Sequence, residues 1–159
     1  MLNIFRMFGK MSGQRVEVTS NSGLNAELIR ANNVRTNPDV SALASLDNHQ
    51  LAILLWHYHD DDLPDAPAAV AISLRGLPLN LGQAKVTHYR VDADHSNAYE
   101  AWKRIGSPAK IAPEQFADLE KAGQLAEHAP LAVIDIKDGK AIVNVCLPRQ
   151  AVSLLVVTW

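Results

Sequence analysis

The strongest constraint on this chain is that apolar and polar residues alternate with a period of two in one short run after another. A strand turns successive side chains to opposite faces, so such runs fit strands covered on one side. "VAISLRG" puts Val70, Ile72 and Leu74 on one face and Ala71, Ser73 and Arg75 on the other. "KVTHYRVD" sets Val86, His88, Arg90 and Asp92 opposite Thr87, Tyr89 and Val91, and "RVEVTS" aligns Val16 with Val18. "LAVIDIKDGKAIVNVCLP" reads as a hairpin around Asp138-Gly139, a dipeptide suited to the positive φ angles of a type I′ turn. "SLDNHQLAILLWHYH" reads as a second hairpin with Asp47-Asn48 as its turn. The closing "AVSLLVVTW" is apolar almost throughout, as for a strand covered on both faces. About eight strands separated by turn signals predict a mainly β fold, an antiparallel β-sandwich.

One or two short helices interrupt this rhythm around residues 97–122. "SNAYEAWKRIG" has Ser96 or Asn97 as its cap, Glu100 at capping-box spacing from Asn97, and Gly106 at the C′ position. Tyr99, Trp102 and Ile105 fall on one face. "PEQFADLEKAG" starts with Pro113 and stops at Gly123, with Phe116 and Leu119 as its apolar stripe. Residues 32–38 are polar and read as a loop. At the N-terminus, Leu2, Ile4, Phe5 and Phe8 cluster like the tail of a helix, which suggests a segment belonging to something larger.

A chain of 159 residues is long enough for one domain with its own core. Fifteen Lys and Arg against 17 Asp and Glu, with no basic stripe, argue against nucleic acid and against a charged membrane surface. No apolar run is long enough to span a bilayer, and the N-terminus lacks the features of a signal peptide. The compartment stays open between cytoplasmic and exported. Cys146 is the single cysteine; its alternating apolar surroundings predict a buried, inert thiol.

Two stretches carry polar groups where chemistry could occur. In "LLWHYHDDDLPDAP", His57 and His59 share a strand face and Asp60, Asp61 and Asp62 follow. Paired imidazoles with carboxylates could ligate a metal. The same residues also fit a solvated strand end, or a loop that meets a ligand or another domain. In "RVDADHSNAYEAW", Asp92, Asp94, His95 and Asn97 lie at a strand-to-helix junction, where short polar side chains usually cap backbone. The alternative there is sugar binding by carboxylate, amide and aromatic groups. Neither stretch nominates a catalytic residue. The six glutamates fall on helix faces, a strand edge or loops, and there is no Gly-x-Ser-x-Gly, Gly-rich phosphate loop or Cys/His nucleophile. No cofactor is expected, and a resident metal is not the leading reading.

Four blocks, "LNIFRMFGKM", "LAILLWHYHDDD", "THYRVDADHSNAYEAWKRIGSP" and "LPRQAVSLLVVTW", together resemble the C-terminal region of family 39 glycoside hydrolases, the β-xylosidases. The resemblance runs from Leu2 to Trp159 and is most specific over His88 to Pro108, then over Leu147 to Gln150. It implies a (β/α)8 catalytic barrel followed by a β-sandwich accessory domain. Residues 1–12 would then be the link from the barrel, and residues 13–159 the sandwich. The family's catalytic acid/base and nucleophile are glutamates on barrel strands, and nothing in this chain matches them.

The expectation is therefore a non-catalytic accessory domain of a β-xylosidase-like enzyme whose parent acts on xylo-oligosaccharides. The alternatives are a stand-alone carbohydrate-binding or interaction module and, third, a metal-binding β protein. Under the first reading, His57, His59, Asp60, Asp61 and Asp62 rim the active site or meet the ligand. Asp94, His95, Asn97, Tyr99 and Trp102 face the barrel of the same parent chain, with the two aromatics as anchors. Without that barrel, an uncovered apolar patch predicts self-association.

Overall fold

The computed structural model describes residues 2–128 and 133–159. It contains four helices and nine strands among these residues: α1 (Leu2–Phe8), β1 (Gln14–Val16), α2 (Ala26–Asn32), β2 (Asp39–Asp47), β3 (Gln50–Tyr58), β4 (Ala68–Arg75), β5 (Gln83–Val91), α3 (Ala98–Arg104), α4 (Pro113–Ala122), β6 (Glu127–His128), β7 (Val133–Asp135), β8 (Lys140–Leu147) and β9 (Ala151–Thr158). All pairings are antiparallel. One sheet has the order β1-β2-β3-β9-β5, with β6 and β7 pairing successive parts of the far edge of β5. The other is the pair β4-β8. The fold is the mainly β, sandwich-like arrangement that the alternating runs predict.

The main core lies between the two sheets. Ile53, Leu55, Val86, Leu155 and Val157 from the larger sheet meet Leu74, Val143, Val145 and Leu147 from the smaller one. A second cluster lies on the outer face of the large sheet, where Met7 of α1 packs on Ala52, Leu54 and Leu154. The strand β9 is buried on both faces because it serves both clusters, as its unbroken apolar run requires. In β4 and β5 the faces that alternation nominates are the inward ones.

Four expectations need correction. Asp47 pairs with Gln50, so the β2-β3 turn is Asn48-His49, one residue later than read, and Asn48 takes the positive φ of 46°. The Asp138-Gly139 turn forms, with φ angles of 51° and 67° and Lys137 bridged to Lys140, but the hairpin ends there. Beyond it β7 joins β5, while β8 pairs along its full length with β4. Leu131 and Ala132 of that proposed hairpin lie outside the described residues. Gly139 itself is required, since a Cβ there would stand 2.6 Å from the Leu77 carbonyl oxygen. Cys146 is exposed: Ala141, Val143, Val145 and Leu147 take the inward face of β8, which turns Ile142, Asn144 and Cys146 outward. Finally, α2 was not expected. Asn25 caps it by accepting from the Leu28 amide at 2.8 Å.

The inserted helices follow their signals. Asn97 Oδ1 accepts the Glu100 amide at 3.2 Å, although Glu100 turns to Lys103 instead of completing the capping box. Gly106 has φ +89°, and its amide and that of Ser107 donate to the Lys103 and Trp102 carbonyls, the pattern of a Schellman ending. The Phe116 ring on α4 is exposed, not part of a packed stripe.

Candidate functional site

The first candidate stretch begins as β3 leaves the sheet. His57 is buried and donates through Nδ1 to the Leu147 carbonyl at 3.0 Å. His59, also buried, donates through Nε2 to the Arg35 carbonyl at 2.9 Å, which leaves Nδ1 to accept the Asp61 amide at 3.2 Å. Asp60 exchanges bonds with Val34: its carboxylate accepts the Val34 amide at 2.9 Å and its own amide donates to the Val34 carbonyl. Asp61 pairs with Arg149, whose other terminal nitrogen reaches Asp65 at 2.9 Å. Gln150, held at φ 62°, donates from Nε2 to the His59 and Asp61 carbonyls at 2.6 and 2.8 Å. From Asp60 to Pro67 the chain is exposed, a strand end entering a solvated loop, but one whose polar groups are largely bonded. The histidines and first two aspartates of this stretch are committed to neighbouring backbone and to Arg149, and among the described residues no group of three or more His, Cys, Asp and Glu is placed to hold a metal ion. Asp61 and Asp65 stay about half exposed despite this pairing, and the loop continues through the exposed Asp62 and Leu63.

The second stretch is rooted in the sheet. His88 and Arg90 project from the inward face of β5, Asp92 follows its end, and all three are buried. Arg90 Nε donates to Ser153 Oγ at 3.2 Å and a terminal nitrogen donates to the Cys146 carbonyl at 2.8 Å. His88 Nε2 lies 2.9 Å from the same Ser153 hydroxyl. Asp92 accepts the Asp94 and His95 amides at 2.8 Å and pairs with His95 Nδ1 at 2.8 Å. Burial works to raise the Asp92 carboxyl, but His95 and the two amides outweigh it and hold the group below its usual range. Asn97 Nδ2 donates to the Asp92 carbonyl, and Arg104 reaches the Ala93 carbonyl and Asp94. Asp94, His95 and Asn97 therefore serve the turn that launches α3.

The helix α3 buries none of its residues fully. Trp102 is half-buried and donates from Nε1 to the Pro108 carbonyl at 3.1 Å. Tyr99 stacks on it with ring centres 5.8 Å apart and stays 63 % exposed. Lys103 stands over the Tyr99 ring and pairs with Glu100. That pairing raises the Lys103 ammonium above its usual value, and Asp62 adds to the same shift from across the gap. On its other side α3 faces α4 across a cleft of about 360 Å³ lined by His95, Asn97, Asp118, Lys121 and His128.

Several contributors were not singled out in the sequence. Arg149 and Gln150 sit in a run that carries the family resemblance, but nothing local reveals that they hold residues 59–65. Ser153 is a lone hydroxyl in an apolar strand, and that interruption is the one signal that could have marked it. Nothing flagged His128.

A profile of the family described as "Glycosyl hydrolases family 39" matches residues 1–138. Among solved structures, a monomeric β-xylosidase from Caulobacter crescentus CB15 superposes with a TM-score of 0.68 at 15 % identity, over 97 % of this chain and 29 % of that chain. A GH39 enzyme from Xanthomonas axonopodis pv. citri gives 0.63 at 17 % identity, over 83 % of this chain and 29 % of that one. A bacterial orthologue of human α-L-iduronidase gives 0.54 at 21 % identity, over 76 % and 22 %. At such identities the likeness is one of fold. The chain spans less than a third of each of these proteins. No curated protein matches it.

Proposed function

The chain belongs to glycosyl hydrolase family 39, and from that premise we propose that it is the non-catalytic accessory β-sandwich of a β-xylosidase-like enzyme. The observation that carries this reading is the asymmetry of coverage: 97 % of this chain superposes on 29 % of a β-xylosidase. Residues 1–12 act as the link from a (β/α)8 catalytic barrel, and residues 13–159 as the sandwich that packs on it. The barrel covers the outer face of α1, where Leu2 and Phe5 are 62 % and 67 % exposed, and the Tyr99 face of α3. Rings in such positions are common interface anchors. The tip at Asp62 and Leu63 is the part of the first stretch that reaches the active-site rim, while His57, His59, Asp60 and Asp61 support it. The parent hydrolyses xylo-oligosaccharides in this reading. Uncovered, the α1 face drives self-association of the isolated chain.

Incubating the chain with a nitrophenyl xyloside tests the non-catalytic assignment: no release is expected, and turnover that survives repurification overturns it. A second reading, a carbohydrate-binding module, draws on one feature, the stacked Tyr99-Trp102 pair with Lys103 over the Tyr99 ring. Titration with xylose and xylo-oligosaccharides separates the two, since saturable binding that Tyr99→Ala abolishes favours the module. Sedimentation as a monomer at high concentration removes the self-association.

A further inference from the structure

Three imidazoles form an unbroken chain at the foot of α3. His88 on β5 meets His128 on β6 edge-to-face at 4.9 Å between ring centres, and His128 meets His95 in the same way at 4.5 Å. These rings join elements otherwise held by short pairings and by side-chain bonds at the turn. The strand β6 consists of two residues, paired to β5 at His88-His128 and Tyr89-Glu127. The turn between β5 and α3 contains Ser96 in a left-handed conformation, φ 52°, that a non-glycine residue adopts at a cost. Ser96 is fixed from outside, its carbonyl accepting Asn3 Nδ2 at 2.6 Å and its hydroxyl the Ala126 amide at 3.2 Å. The helix itself has seven residues, too few to persist without its anchors.

We infer that His88 and His128, with the His95 ring packed on them, form an acid-sensitive latch that holds the 92–97 turn, and that protonating His88 and His128 releases α3 while the sandwich stays folded. The charges around the rings give the reason. Ser153 Oγ accepts from Arg90 Nε and lies 2.9 Å from His88 Nε2, so a protonated His88 makes the one hydroxyl accept from two cations. The new cation then faces the Arg90 guanidinium from the same strand and the His128 and His95 rings from the next elements. Asp92 is the nearby carboxylate that offsets this charge, and it already serves both Arg90 and His95. From β8, Arg90 meets only the Cys146 carbonyl. Asp94, Arg104, Asp118, Lys121 and Glu127 line the cleft outside His95 and His128, with both signs of charge. Burial first, then Arg90 and the neighbouring rings, pushes His88 down to about 4, and burial with Arg90 also lowers His128.

Amide nitrogen-proton spectra of the chain, recorded from pH 7.5 down to 4.5, test the latch. The signals of residues 92–104 are expected to broaden or collapse toward random-coil positions below pH 6.5, while those of β3 and β9 keep their dispersion. Unchanged 92–104 signals across the range, or loss of the sheet signals at the same pH, overturns it. His88→Gln keeps an acceptor for Ser153 without taking a proton and is expected to move the transition at least one pH unit lower. If that variant does not fold, His128→Phe, which keeps the edge-to-face packing at a half-buried position, carries the same expectation. A wild-type transition in the variant that folds also overturns the latch.

Discussion

The loop after β3 and the segment after β5 look alike as sequence, each a core strand running into a cluster of His and Asp. Their polar groups do opposite things. In the loop, side chains turn back onto the scaffold, so that Asp60, Asp61 and His59 are bound by Val34, Arg35, Arg149 and Gln150. In the segment, the bonding is concentrated at the root, in Arg90, Asp92 and His95, and the helix beyond is left with Tyr99 exposed. Density of polar residues therefore does not locate a surface available to a partner. What locates it is where the donors and acceptors of each group are already satisfied.

The sharpest way to break this contrast is at the root of the segment. Arg90→Met should cost about 2–3 kcal/mol, because it removes the donor to Ser153 and to the Cys146 carbonyl and the cation beside the buried Asp92; a denaturant midpoint indistinguishable from wild type would show the root is not what holds the segment. Arg149→Ala is expected to cost less, about 1–2 kcal/mol, since Asp61 and Asp65 are half exposed and water can replace part of the pairing. Its signature should be local: amide exchange in residues 59–65 accelerates while α3 is unaffected. Acid sharpens the contrast from the other side. His88 binds its proton near 4 in the fold and near 6.5 when unfolded, so the unfolded state takes up protons first as pH falls. That stabilisation is complete above pH 6.5 and declines toward pH 4, by about 1 kcal/mol at pH 5.5; thermal melts of wild type and His88→Gln measure it as the difference in slope. The smallest effect belongs to the outward helix face. Tyr99→Ala should change stability by no more than about 0.5 kcal/mol, and a larger loss would place that ring in the fold's own packing.

Much of this architecture was legible because strand alternation is a local signal. The faces of β4 and β5, and the double burial of β9, follow from side-chain periodicity alone. Errors arose where a partner outside the run decides. The Asp138-Gly139 turn is visible locally, but the edges offered by β4 and β5 draw its two arms into different sheets. Cys146 was misassigned on the apolar character of its neighbours, although Lys140 and Asn144 on its own phase mark the outward face of β8. The candidate site was less legible than the fold because its partners lie outside the run. His57 and His59 satisfy carbonyls at Leu147 and Arg35, positions that no spacing rule connects to them.

The placement of β9 has a consequence for how the molecule comes into being. It lies between β3 and β5, which do not pair with each other. As the chain emerges during synthesis, the β1-β2-β3 meander and the β5 group remain separate pieces, each with an unsatisfied edge. They become one sheet only when residues 151–158 arrive to insert between them. Such long-range closure is slow, so the interval before it is when this domain is most exposed to wrong partners.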